Sequence, residues 1–154
     1  MEDIMEMAQG NLKRVVAIRL KPGTDVLLGL EEACRRSGIN NGVILSAIGS
    51  LDGVSYCNPV ELPTKAGYGY GEVLHLTGPI ELTSGAGIIC HDDEGNTNLH
   101  VLSDRYGNAH GGHLVEGTKV LLTVDVMLAE VDGLVMGRKF DNELEVPLFA
   151  PRQN

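Results

Sequence analysis

The sequence predicts an α+β fold, with a central and mostly antiparallel β-sheet and one main helix on one face. Two observations carry this expectation. A single stretch, 25–37, sets its apolar residues at helical spacing, and six or seven runs rich in β-branched residues are joined mostly by Gly, Pro, Asn and Asp. Strands linked by turns rather than by crossover helices pair antiparallel and leave room for a helix on one side.

In chain order, Val15, Val16 and Ile18 mark a first strand over 13–20, stopped by Pro22-Gly23. Thr24 stands where a helix N-cap is expected, with Asp25 in the first turn, then Val26, Leu27, Leu30 and Ala33 on the apolar stripe and Gly38 as C-cap. The Val, Ile and Leu of 42–50 form a strand that resumes over 54–57 after an Asp52-Gly53 turn. A strand over 71–77 turns at Gly78-Pro79 into another over 80–90. Past a loop containing Asp92, Asp93, Gly95 and Asn96, a strand over 97–103 ends in a turn at 104–108. A long strand over 119–131, apolar on both faces, calls for cover on both sides. The last strand is short, 143–148.

The 154 residues fit one domain, and a chain of this length buries roughly 68–70% of its unfolded surface. The expected organisation is a flexible N-terminal segment over 1–11, a single domain over 12–149 and a tail over 150–154. The aromatic residues are four Tyr and two Phe with no Trp, so the core is aliphatic and base-stacking platforms for single-stranded nucleic acid are disfavoured. A formal charge of −9 repels phosphate backbones, and Lys13, Arg14, Arg19, Arg35, Arg36, Arg138 and Lys139 are too scattered to offset it. Cys34, Cys57 and Cys90 form no Cys-x-x-Cys and read as buried free thiols. The acidic 1–10 segment lacks the pattern of a signal peptide, and no run reaches the ~20 apolar residues of a membrane helix, so a cytoplasmic location is expected.

Four segments in order, RVVAIRLKPGTDVLLGLEEACRRSGI, VILSAIGSLDGV, YGYGEVLHLTGPIEL and LHVLSDRYGNAHGGHLVEGTKVLLTVDVML, resemble the PPC (plants and prokaryotes conserved) domain family over nearly the whole chain. The most specific element is Gly111-Gly112-His113-Leu114 after a strand histidine and a turn. The resemblance implies a central antiparallel sheet flanked by helices, one main and up to two minor, and assembly as a homotrimer. Plant members place the domain after AT-hook peptides; this sequence has no Arg-Gly-Arg-Pro core, so it is similar to the stand-alone prokaryotic type.

Strand alternation puts Asn98, His100 and Leu102 on one face, and His113 lies beyond the turn that returns the chain beside His100. Two neutral imidazoles suit zinc or a similar divalent ion, and a third protein ligand leaves a position for water or substrate. Metal-bearing prokaryotic members resemble a His-x-His pair plus Gly-Gly-His; His100 and His113 match, while Asn98 stands where the first histidine is expected. His110, His75 or the Asn98 carbonyl are the remaining sources of a third contact, with His75 and Asn98 read as substrate-binding. His91, beside three acidic residues, reads as a solvated turn.

Glu72 matches the Glu of a family segment and is the candidate general base, with a structural ion pair as its competing role. The stretch GHLVEG lacks the Lys-Ser/Thr of a phosphate loop, and no nucleotide cofactor is expected. Ser46 and Ser50 have no triad partners, and Asp125 reads as a single strand charge facing solvent or a neighbouring subunit. The sequence therefore points to a trimeric metal- and small-molecule-binding protein or metal-dependent enzyme with a histidine site. The alternative is a DNA-associated regulatory or scaffolding module.

Overall fold

The computed structural model describes residues 4–90, the backbone of 98–105, and 108–154. Strand β1 (Asn11–Leu20) leads into helix α1 (Val26–Ser37), followed by β2 (Gly42–Cys57), β3 (Pro59–Glu61), β4 (Tyr68–Tyr70) and β5 (Leu74–Ile89). After these come β6 (Asn98–Arg105), β7 (Asn108–Leu114), β8 (Lys119–Asp132), β9 (Leu134–Asp141) and β10 (Val146–Gln153). The main sheet has the order β1-β8-β2-β5-β6-β7, antiparallel throughout, while β3/β4 and β9/β10 form separate two-stranded ribbons. Strand β7 also pairs with the end of β2 through Tyr56↔Leu114 and Cys57↔His113, so β2, β5, β6 and β7 close on one another.

The helix falls where expected, but its N-cap is Asp25 rather than Thr24. Asp25 Oδ1 accepts from Leu27 N at 3.1 Å and Leu28 N at 3.3 Å, while Oδ2 accepts from Gly117 N at 2.7 Å. A carboxylate has oxygens enough to cap the helix and hold the turn before β8, which a single hydroxyl has not. The C-cap is Gly38, left-handed at φ 65. Val26, Leu30 and Cys34 face the sheet and pack into a cluster with Leu20, Ile39, Ile44, Leu82, Val124 and Leu128. Among the described residues α1 is the only helix, so the minor helices implied by family resemblance do not appear there.

Two expected turns are bends within long strands. Asp52-Gly53 lies inside β2 and Gly78-Pro79 inside β5, where the register passes from Leu51↔Ile80 to Gly53↔Thr77. One residue of β2 there opposes two of β5, a bulge that curls both strands together. A Cβ on Gly78 would stand 2.7 Å from the Leu51 carbonyl oxygen, so the glycine serves close backbone approach rather than chain reversal.

The C-terminal ribbon also differs from expectation. Strand β9 was not anticipated, and β10 runs to Gln153 despite Pro147 and Pro151, over residues read as a short strand and a tail. A two-stranded ribbon tolerates proline because each strand keeps one unpaired edge. Cys34, Cys57 and Cys90 are buried thiols that form no disulfide, as the sequence suggested.

Candidate histidine site

Strands β6 and β7 pair without a slip from Arg105↔Asn108 to His100↔His113. Residues directly opposite in an antiparallel pair share one face, with Cβ atoms about 4.5–5.5 Å apart. Positions 100 and 113 are therefore face to face. On its other side His113 is paired with Cys57; Ser55, two residues earlier and so on the same face, is paired with His75. Backbone register alone thus gathers His75, Ser55, Cys57, His113 and position 100 on one surface. The intervening Val54, Tyr56 and Leu114 point into the core, so the site backs onto packed apolar side chains.

The glycine before His113 makes this closure sterically allowed. A Cβ on Gly112 would lie 2.5 Å from Tyr56 Cδ2 and 2.8 Å from the Cys57 carbonyl oxygen. Asn58, with its amide nitrogen turned toward the strand, donates to Gly111 O at 3.2 Å and to Cys57 O at 3.3 Å. These contacts seat β7 on the end of β2.

Each described imidazole of this face meets a hydroxyl through Nδ1. Tyr70 Oη lies 3.0 Å from His113 Nδ1, with ring centroids 4.6 Å apart at an interplanar angle of 40°. Ser55 Oγ lies 2.7 Å from His75 Nδ1. Ser55 is itself fixed, since its N–H donates to Thr118 Oγ1 at 3.0 Å and its carbonyl accepts from Val115 N at 3.1 Å. The Cys57 thiol lies 3.8 Å from the His113 carbonyl oxygen, and burial pushes its pKa up, which keeps it a thiol.

The remaining sequence candidates divide by position. Asn98 is two residues before His100 and shares its face of β6, in register with Ile88. His110 pairs with Ser103 and sits three residues before His113, on the other face of β7. Glu72 was expected on a strand with Leu74; it lies instead in the exposed bend between β4 and β5. His91 lies outside the described residues. Among the described residues no three His, Cys, Asp or Glu side chains form a cation cage. Sequence reasoning missed Tyr70, Ser55 and Cys57. The one available signal was an aromatic between two glycines at 69–71.

A curled antiparallel sheet that carries histidines on the face away from its core defines a β-rich α+β module with a candidate histidine site. The chain belongs to the Plants and Prokaryotes Conserved (PCC) domain family, also written PPC, whose model matches residues 7–132. A metal-containing protein from Archaeoglobus fulgidus shares the fold at TM-score 0.80 and 25% identity, over 94% of this chain and 99% of that one. A PPC protein from Pyrococcus horikoshii does so at TM-score 0.73 and 28% identity, over 94% and 97%. Two further neighbours, at 19% and 18% identity, are described as candidate DNA-binding proteins and show the fold alone. In sequence, the chain is 30% identical over 118 residues to the bifunctional protein GlmU of a Synechococcus strain. That match covers 76% of this chain and 17% of the relative, so the chain spans about a sixth of its length. No helix among the described residues is long and apolar enough to cross a membrane.

Proposed function

We propose that this PPC-domain chain binds a divalent metal, zinc first, together with a small molecule on the histidine face, and that it does so as a homotrimer. The observation that carries the reading is the in-register opposition of His100 and His113. Two imidazoles across one antiparallel rung are spaced as a ligand pair, and their neutral nitrogens suit zinc. Asn98, on the same face as His100, offers a carbonyl as a weaker third donor, and His75 lines the same surface toward the small molecule. His110, on the opposite face of β7, has no part in this ligand set. The Archaeoglobus neighbour described as metal-containing supports the reading.

When bound, the ion supplies Lewis-acid polarisation of a carbonyl or a bound water. The chain's own part is to hold the two rings by strand pairing and to back them with the core. Glu72, exposed in the bend between Tyr70 and His75, serves as proton acceptor or as an ion-pair partner of a neighbouring subunit.

The trimer is supported by an uncovered apolar surface on the main sheet. Ala17, Met127 and Ser46 form one row across β1, β8 and β2, and Arg19, Asp125 and Ile48 form the next. They line a shallow groove of about 370 Å³. Val15, Leu45, Ile48 and Met127 are between 42% and 51% exposed, a surface suited to burial against further copies of the chain.

The test is elemental analysis of tag-free protein. Metal near one equivalent per chain in the wild type, lost in His113→Ala, is the expected result. Absence of metal from both removes the reading.

A further inference from the structure

Tyr70 is not built like a core tyrosine. The residue is 51% exposed, and its hydroxyl is directed at a histidine ring rather than at backbone. Pairing of Pro59 with Tyr70 and the Gly71 N–H donated to Asn58 O at 3.0 Å anchor the end of the small ribbon to the end of β2. The flanking glycines pack closely on neighbouring side chains: a Cβ on Gly69 would stand 2.7 Å from Leu62 Cδ1, and one on Gly71 would stand 2.9 Å from Val60 Cγ1. The ribbon therefore folds tightly while one aromatic reaches out to His113, with both ring contact and hydrogen bond.

A neutral imidazole has one N–H and one lone pair, and the partner of one nitrogen decides which is which. A phenol oxygen can accept a hydrogen bond while its own O–H turns to water. We propose that Tyr70 is a positioning residue that accepts the Nδ1–H of His113, holding the tautomer in which Nε2 carries the lone pair. The ring is thereby oriented for electrophilic ligands, the part an outer hydrogen-bond partner plays toward a metal-binding histidine. This role rests on the reading of His113 as a ligand, but the tautomer belongs to the metal-free protein and is measurable without any ion.

The experiment uses the full chain with 15N-labelled histidine, wild type and Tyr70→Phe, with His113→Ala to assign the signals. Long-range proton–nitrogen correlation of metal-free wild type is expected to show His113 protonated at Nδ1, shifting toward Nε2–H in Tyr70→Phe. Phenylalanine retains the ring contact and an exposed position, so the fold is kept; a circular dichroism spectrum checks this. Titration with Co2+ is then expected to show affinity about tenfold weaker in Tyr70→Phe. A tautomer that is the same in both proteins, or Nε2–H in the wild type, overturns the proposal, as does Co2+ affinity unchanged by the substitution. A wild type with the expected tautomer, altered by Tyr70→Phe, that takes up no Co2+ upholds the orienting role and removes the metal reading instead.

Discussion

His100 on β6 and His113 on β7 are cross-strand partners in a ladder that holds its register from the Arg105↔Asn108 rung onward. Side chains alternate with a period of two, so a slip of one residue in this ladder would send one imidazole through the sheet to the opposite face. The pair is thus a product of strand registry, and its energetics should reflect a shared ion. In Co2+ titrations, His100→Ala and His113→Ala are each expected to abolish most of the binding, while the double variant loses little more than either alone. Two independent, additive losses would mean that the rings do not hold one ion.

The twin-glycine motif makes a separate prediction about stability. A methyl group on Gly112 meets the Tyr56 ring and the Cys57 carbonyl, both part of the rigid end of β2, so Gly112→Ala is expected to cost about 1–3 kcal/mol through overpacking. Gly23 is the control: it has φ +80 but nothing within 4 Å of an added Cβ, so Gly23→Ala carries only the left-handed backbone penalty of about 1 kcal/mol. Urea denaturation checks the order. Gly112→Ala should also loosen the site, because β7 is seated on β2 at that residue.

The sequence made some of this legible and hid the rest for physical reasons. Helix α1 announced itself because its stripe and Gly38 are local features, and β8 did so because a long apolar run is unambiguous. The opposition of His100 and His113 was also within reach, since a short turn between two strands nearly dictates the pairing. Gly53 and Gly78 misled because a glycine that permits a bulge has the same local signature as one that permits a turn; only the partner strand distinguishes them. Tyr70, Ser55 and Cys57 were out of reach for a related reason. Cys57 and Tyr70 meet His113 where β7 closes onto β2, and Ser55 meets His75 across the β2–β5 ladder, pairings between residues far apart in the chain that a local pattern such as the glycines around Tyr70 does not specify.

The uncovered sheet face makes a prediction about assembly. Met127 and Ile48 lie in adjacent rows of the apolar groove and belong to the outward side of strands whose other side is the core. Replacing either with Asp places an unpaired charge in the proposed subunit contact without touching the core. Light scattering is expected to give a trimer for the wild type at micromolar concentration and smaller species for Met127→Asp. A wild-type monomer under those conditions contradicts the assembly.

The charge balance of the chain makes a prediction about nucleic acid. Several of its basic groups are already engaged: Arg14 with Glu130 at 2.6 Å, Arg35 and Arg36 with Glu32 at 2.6 and 2.7 Å, and Lys65 with Glu145 at 3.4 Å. With a formal charge of −9, the long-range field of the chain opposes approach to a duplex. Gel-shift titrations at low salt are expected to show no retarded species. Binding that weakens steeply as salt is added would restore a DNA-associated role.

Two buried thiols give the fold a dependence on alkaline pH. Burial, and secondarily the carboxylate of Glu31, push the Cys34 pKa up from 9.0 to about 11, and burial raises Cys57 in the same direction. A raised acid pKa means that the folded state favours the neutral thiol. As pH climbs past about 9 the unfolded chain loses its thiol proton first. The stabilisation is therefore complete below pH 9 and drains away as the pH approaches about 11. Urea midpoints are expected to fall between pH 8.5 and about 10.5 in the wild type, and to fall less steeply in Cys34→Ala, which begins from a lower stability because it leaves a small cavity. Native protein at pH 8 should likewise resist alkylation at all three cysteines until it is unfolded, since a buried thiol is out of a reagent's reach. Rapid modification of folded protein at that pH would place at least one of these sulfurs at the surface and remove the basis of the alkaline prediction.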